Sequence, residues 1–375
     1  MPRNAPSWSA APALAAGIAG MLLFSPAPAV AHPEELAESI QDERNVARAM
    51  PKEPARYGRP LWELDARVPF IGSPVHEKMT VQSINLSGVH PRQYTVSYDE
   101  AYIHGVFWSD DPDDLLCPEC SASNVRNFDR RWGLSFAARF EQAKKRARES
   151  SSGPGHFFVI GEGLLERSHF GDLQFLHAMA ARDGELASET QRKILKWAEF
   201  AYKVAVGEIS QKVPIAKIPI VEIRDLLAAE PALEGRTIEQ MFRGPRLAKR
   251  VAIGTLLHMI QDSYAGGHAE REQVDSGDAK SGVFARGKIR RFHSYANQDP
   301  TLHGNDDAWP RGLSSPSPDT SDNPISVGAR ILRFMYADAG DGAPWKQVET
   351  YLRNVVFAIT DPNAVAGPGE KYRRR

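Results

Sequence analysis

From about residue 133 onward, apolar positions recur at helical spacing. "LSFAARFEQAKKRARE" sets apolar residues three and four apart against a basic opposite face, which predicts a helix that "SGPG" ends. The same period predicts helices at "GDLQFLHAMAARDG", "ETQRKILKWAEFAYKVAVGEI", "IVEIRDLLAAE", "TIEQMFRG" and "PRLAKRVAIGTLLHMIQDSYA". Two more are predicted near "VGARILRFMYADAG" and "WKQVETYLRNVVFAIT". Residues 61–130 instead mix extended pieces such as "QYTVSYDEAYI" with turn chemistry such as "SDDPDDLLCPEC". Residues 275–325 are rich in Gly, Asp and Ser and read as irregular. With no internal repeat and no strand–helix alternation, the pattern predicts an all-α, multi-helix domain over 61–365.

The ends read differently. "APALAAGIAGMLLF" is an apolar run of signal-peptide length, and "PAPAVAH" offers a small-x-small cleavage site after Ala31. The run is too short and poorly flanked to span a bilayer. Residues 1–31 are therefore expected to be a secretory signal, with the mature chain secreted or periplasmic. Residues 32–60 are charged and poor in large apolar side chains, an N-terminal segment or linker. Residues 366–375 end in "EKYRRR", a basic tail expected to be frayed and solvated, with contact to anionic lipid as the sharper alternative.

The 375 residues suffice for a large core, and a formal charge of −1 argues against a general polyanion binder. No stretch after the leader reaches transmembrane length, and a monomer is expected. The two cysteines, Cys117 and Cys120, form a lone CxxC that can be a redox pair, half a zinc site or a local disulfide. In an exported chain without a thioredoxin-like βαβ pattern, the disulfide is favoured.

One stretch carries chemistry. In "HMIQDSYAGGH", His258 and Asp262 are four apart, so on a helix they share a face about 40° and ~6 Å apart and can serve one ion. His268 would face away on a straight helix. Gly266-Gly267 is expected to break the helix, through the left-handed backbone that glycine reaches cheaply, and to swing His268 to a neighbouring ion. A histidine–aspartate pair that only hydrogen-bonds within a half-buried helix is the plainer reading of the motif alone. Further groups shift the balance: His303 and Asp307 in "HGNDD", His169, Asp172 and His177 in "ERSHFGDLQFLHAM", His104, Asp110 and Asp111 in "IHGVFWSDDP", and His76 in "PVHEKMT". Imidazole with carboxylate is the donor mix of hydrolytic zinc.

"HMIQDSYAGGH" followed by a later His-x3-Asp resembles the superfamily of zinc-dependent phospholipases C and single-strand-specific zinc nucleases. With "HGVFWSDDP" and "GDLQFLHAMA" the chain is more narrowly similar to the bacterial zinc metallophospholipase C branch. The matching motifs run from about 76 to 307. The resemblance implies an all-helical fold around a trinuclear cleft of about three zinc ions. It implies that His258 and Asp262 bind one zinc with Asp110 and His169, and His177 competes with His169 for that place as the second choice. Asp262 would bridge to a zinc held by His76, and His268, His303 and Asp307 would hold the third. Family members use a mature N-terminal tryptophan at the His76 ion. Here the expected mature end is His32, and Trp62 lies 14 residues before His76, so that ligand set departs from the pattern.

The implied activity is hydrolysis of the glycerol-side phosphodiester of phosphatidylcholine or a related phospholipid at a membrane surface. Diacylglycerol and a phosphorylated head group would result. Zinc neutralises the phosphate oxygens and acidifies water, and Asp110 or Asp111 would activate that water. Trp108, Phe170 and Tyr264 flank the ligands and are the candidate head-group contacts through cation–π attraction. Asp111, Asp172 and Asp306 are candidates to orient the imidazoles. The alternatives are a zinc-dependent single-strand nuclease or nucleotidase on the same scaffold, and a non-catalytic exported zinc-binding helical protein.

Overall fold

The computed structural model describes residues 75–89, 96–112, 130–148, 155–242, 248–275, 284–306, 322–337 and 342–374. Residues 1–31, expected to be a leader, residues 32–60, Trp62, Cys117, Cys120 and Asp307 lie outside the described residues. The described part is mainly helical. The helices are α1 (Val75–Ser87), α2 (Val96–Asp110), α3 (Arg130–Arg148), α4 (Leu164–Phe170), α5 (Ala187–Val206), α6 (Val221–Leu227), α7 (Ile238–Met241), α8 (Ala248–Asp262), α9 (Pro300–Asp306), α10 (Pro324–Met335) and α11 (Trp345–Tyr351). None is long and apolar enough to cross a membrane.

The core is built around α8. Every side chain from Val251 to Asp262 is buried, so over that stretch the helix has no solvent face, and α2, α5 and α10 pack on it. Its polar residues Thr255, His258, Gln261 and Asp262 are therefore carried into the interior. The amphipathic α5 buries Ile194, Trp197, Ala201 and Tyr202, and the Trp197 indole donates to Thr255 Oγ1 at 3.1 Å. It stops at Gly207, whose φ of 87° lets its N–H turn back to the Lys203 and Val204 carbonyls.

Two glycines set the approach of α2 to α8. A Cβ on Gly105 would lie 2.1 Å from the Val251 carbonyl oxygen, and one on Gly254 would lie 2.4 Å from that of Tyr102. Only hydrogen fits there, so the backbones touch. About one turn beyond each glycine come Asp110 and His258, which the crossing brings together.

Several expectations are corrected. The fold is not all-α: Ala269–Asp275 (β1) and Phe284–Phe292 (β2) form an antiparallel hairpin, pairing Ala269 with Phe292 and Arg271 with Ile289. Charged residues hide its alternation, because the inward position 271 is an arginine. The part of "QYTVSYDEAYI" from Val96 onward is not extended but enters α2, where packing of Ala101, Tyr102, Val106 and Trp108 overrides strand propensity. "GDLQFLHAMAARDG" forms only a 3-10 turn, Gln174–His177, ended by Ala178 at φ 52°. Residues 364–374 are not frayed. They run as a strap over 293–299, with Ser294 N–H donating to Gly367 O (3.0 Å), Asp299 N–H to Tyr372 O (2.6 Å) and Arg374 N–H to Asn297 O (3.1 Å).

Candidate metal centre

Asp262 is the last residue of α8, and its buried carboxylate is the hub of the centre. Oδ2 lies 2.9 Å from His258 Nε2 and 3.0 Å from His177 Nδ1, and those two nitrogens are 3.0 Å apart. The three atoms form a nearly equilateral triangle. Asp110 Oδ1 approaches the same nitrogens, 3.7 Å from His258 and 4.0 Å from His177. Its side chain is 39% exposed, so Asp110 stands at the open side. The other oxygen of Asp262, Oδ1, lies 3.3 Å from His76 Nε2.

This arrangement fits a cation. Ligand atoms about 2.1 Å from a tetrahedral zinc are about 3.4 Å from one another, so the observed triangle need open by only about half an ångström. His76, His258 and Asp262 form one candidate ligand group and Asp110, His177 and His258 another. The outward nitrogens, His177 Nε2 and His258 Nδ1, are buried without a hydrogen-bond partner among the described residues. Each ring is aimed by its inner nitrogen.

The electrostatics respond to the same crowding. Burial pulls the His258 imidazole down, but Asp262 and Asp110 outweigh it and bring it up to about 9. Burial pushes the Asp262 carboxyl up, yet His258, His268 and His76 hold it well below the usual carboxylate range. A cation at the triangle would have to displace the proton that His258 holds there.

His268 follows the turn after α8. Its Nδ1–H donates to the His177 carbonyl (2.7 Å), and its ring lies 4.7 Å from that of His303, centroid to centroid. The Gly-Gly expectation is corrected at Gly267. That residue does not adopt the left-handed backbone; instead its missing Cβ would lie 2.8 Å from His303 Nδ1. It is glycine for closeness.

Of His169 and His177, it is the second choice that the fold brings to the Asp262 and His258 atoms. His177 joins the triangle, while the ring of His169 lies tilted against it, 4.7 Å between centroids, and donates from Nδ1 to the Leu165 carbonyl at 3.0 Å. Desolvation, reinforced by His177, holds the His169 imidazole well below its ordinary value. Asp110 is the carboxylate brought to the imidazoles, whereas Asp111 is fully buried just past the end of α2.

The expected head-group aromatics are corrected to packing roles. Trp108 stacks on Trp197 at 5.5 Å and donates to the Met241 carbonyl (3.2 Å). Phe170 is buried among Phe140, Phe158 and Tyr295. Tyr264 donates to Asp322 Oδ1 (2.7 Å) beneath the Arg271 guanidinium. Asp172 accepts a fork from Arg167 and Asp306 accepts from Lys371 and Tyr372, so neither orients an imidazole.

Three residues escaped the sequence reading. Gln261 Oε1 accepts from His76 Nδ1 (3.0 Å) and Gln298 Oε1 from His303 Nδ1 (2.7 Å). Glutamine carries no ligand signal in a string, although Gln261 adjoins Asp262. Glu77, beside His76, is brought up to about 7 by burial, with Asp110 reinforcing, so its carboxyl titrates near neutrality next to the centre. The His-Glu pair in "PVHEKMT" was its only sign. No family model matches the chain, nor does any curated protein or solved structure.

Proposed function

We propose that this centre holds zinc and that the protein is an exported phosphodiesterase of the phospholipase C type. On this reading it hydrolyses phosphatidylcholine or a related phospholipid to diacylglycerol and a phosphorylated head group. The observation that carries it is the triangle of Asp262 Oδ2, His258 Nε2 and His177 Nδ1, with Asp110 Oδ1 at its open side. Those four residues would hold one ion. His76 and the second oxygen of Asp262 would hold another, and His268, His303 and Asp307 a third.

Such ions supply positive charge to the non-bridging phosphate oxygens and lower the pKa of water. Asp110, the exposed carboxylate, would take the proton of a water attacking phosphorus. As the new P–O bond forms, the P–O bond to glycerol breaks and the departing oxygen takes up a proton as diacylglycerol. Asp262 and the imidazoles would hold the ions that orient the phosphate, and their burial would keep water from that side.

Elemental analysis of natively purified protein tests the first half, with about three zinc ions per chain expected. Turnover of phosphatidylcholine vesicles and of single-stranded DNA by the zinc-loaded protein tests the second. DNA cleavage without lipid turnover would move the function to the nuclease reading, and bound zinc with neither activity would leave sequestration.

A further inference from the structure

We infer that Gln298 is a positioning residue that holds the proton of His303 on Nδ1 and ties that imidazole to the turn presenting His268. This rests on the cation reading above for its purpose, but not for its geometry. Gln298 is fully buried. Its amide Nε2 donates to two main-chain carbonyls, Gly267 O at 2.7 Å and Pro368 O at 2.8 Å. Carbonyls only accept, so the NH2 end of the amide faces them and the orientation of the side chain is fixed. Oε1 then faces His303 Nδ1 at 2.7 Å and can only accept, which places the imidazole proton on Nδ1 and the basic lone pair on Nε2.

The same side chain reaches three parts of the site. Gly267 precedes His268, Pro368 belongs to the C-terminal strap, and His303 lies on α9. The ring of His303 seats against Gly267, where a Cβ would collide with it, and meets Tyr295 edge-on at 4.6 Å. Gln261 repeats the device at the other end of the centre. Its Nε2 donates to Thr80 Oγ1 (2.9 Å), its Oε1 accepts from His76 Nδ1, and His76 Nε2 is thereby turned toward Asp262. Aqueous imidazole would exchange freely between tautomers, whereas a ligand must present one fixed nitrogen.

The test is a long-range proton–nitrogen spectrum of 15N-histidine-labelled, metal-free full chain near pH 8. His303 is expected with its proton on Nδ1, and a proton on Nε2 overturns the inference. Q298M is expected to shift His303 toward the Nε2–H form. It should also weaken the most weakly held zinc equivalent about 10–100-fold in chelator competition. In a His303→Ala background Q298M is expected to add no further loss of zinc, and an equal loss in both backgrounds would overturn the inference in favour of general packing. Should Q298M fail to fold, the wild-type spectrum decides alone. Wild-type protein that binds no zinc yet shows the Nδ1 proton sinks the cation reading and leaves the tautomer assignment standing.

Discussion

Two regions of this molecule bury strongly polar side chains, and they treat them in opposite ways. Arg271, on β1, is sealed under the hairpin and spends its donors on Ser263 O (2.7 Å), Ser263 Oγ (2.9 Å), Gly287 O (2.7 Å) and Val356 O (2.8 Å). Its guanidinium also lies 4.1 Å above the Tyr264 ring. Arg167 does the same with Asp172, Glu230 and the Leu226 carbonyl. At the end of α8, by contrast, three acceptor-capable atoms crowd to 2.9–3.0 Å while His177 Nε2 and His258 Nδ1 have no hydrogen-bond partner among the described residues. A polar group buried for stability has its hydrogen bonds completed by its own chain. One buried with lone pairs aimed inward is arranged for something the chain does not supply.

The largest effect expected from breaking this contrast is at the hub. Asp262→Asn removes the charge shared by four imidazoles. Turnover of phosphatidylcholine by the zinc-loaded protein should fall by about 10²–10³-fold or more, as when a preorganised electrostatic contact is lost. Zinc counts on the same samples separate lost chemistry from lost metal. Unchanged turnover would remove Asp262 from the centre. Arg271→Met should do the reverse. Orphaning the Ser263 and Val356 carbonyls is expected to cost about 3 kcal/mol or more in denaturant unfolding. Zinc bound per folded chain should not change.

Acid and base should also separate the regions in the metal-free protein. His258 is raised from the ordinary 6.5 to about 9 when folded, so its stabilisation is fully present below pH 6.5 and is lost as pH rises toward 9. At 1.36 kcal/mol per unit this amounts to about 3 kcal/mol. His293, whose Nδ1–H donates to the Gly267 carbonyl at 3.2 Å, is pulled down to about 4 by burial. Its sign is opposite: the unfolded chain takes up the proton first, and stability falls from about pH 6.5 toward 4 by a similar amount. Urea midpoints against pH should show both limbs. The alkaline limb should vanish when zinc replaces the His258 proton, and its persistence at saturating zinc would argue against His258 as a ligand.

How much of this was legible in the string follows from range. The helix over 187–206 was readable because its burial pattern repeats every turn, the one over 248–262 because its apolar residues run on past the length of a strand, and the His258–Asp262 pairing because four residues span one turn. The hairpin was hidden because Arg271 occupies an inward position that only a folded chain can satisfy. Trp108 and Phe170 looked like substrate contacts because an aromatic flanking a candidate ligand reads alike whether it faces a cleft or a core. The choice of His177 over His169 depends on where a 3-10 turn ends after Arg167 has fixed Asp172, a long-range fact reached through Glu230. Glutamines that orient imidazoles leave no spacing rule behind.

The smallest of the expected effects tests the reason for one glycine. Were Gly267 needed for a left-handed turn, alanine there would strain the backbone and unsettle His268 and β1 together. The structure instead gives it an ordinary backbone and a neighbour, His303 Nδ1, 2.8 Å from where a Cβ would stand. Gly267→Ala should therefore cost only about 1–2 kcal/mol of stability, the scale of mild overpacking. The displaced His303 should hold its zinc about tenfold more weakly, as when a ligand loses its outer support. In Gly267→Ala combined with His303→Ala, which vacates the space, most of the stability loss should be recovered. A double variant no more stable than the sum of the two single losses would return the glycine to a backbone role.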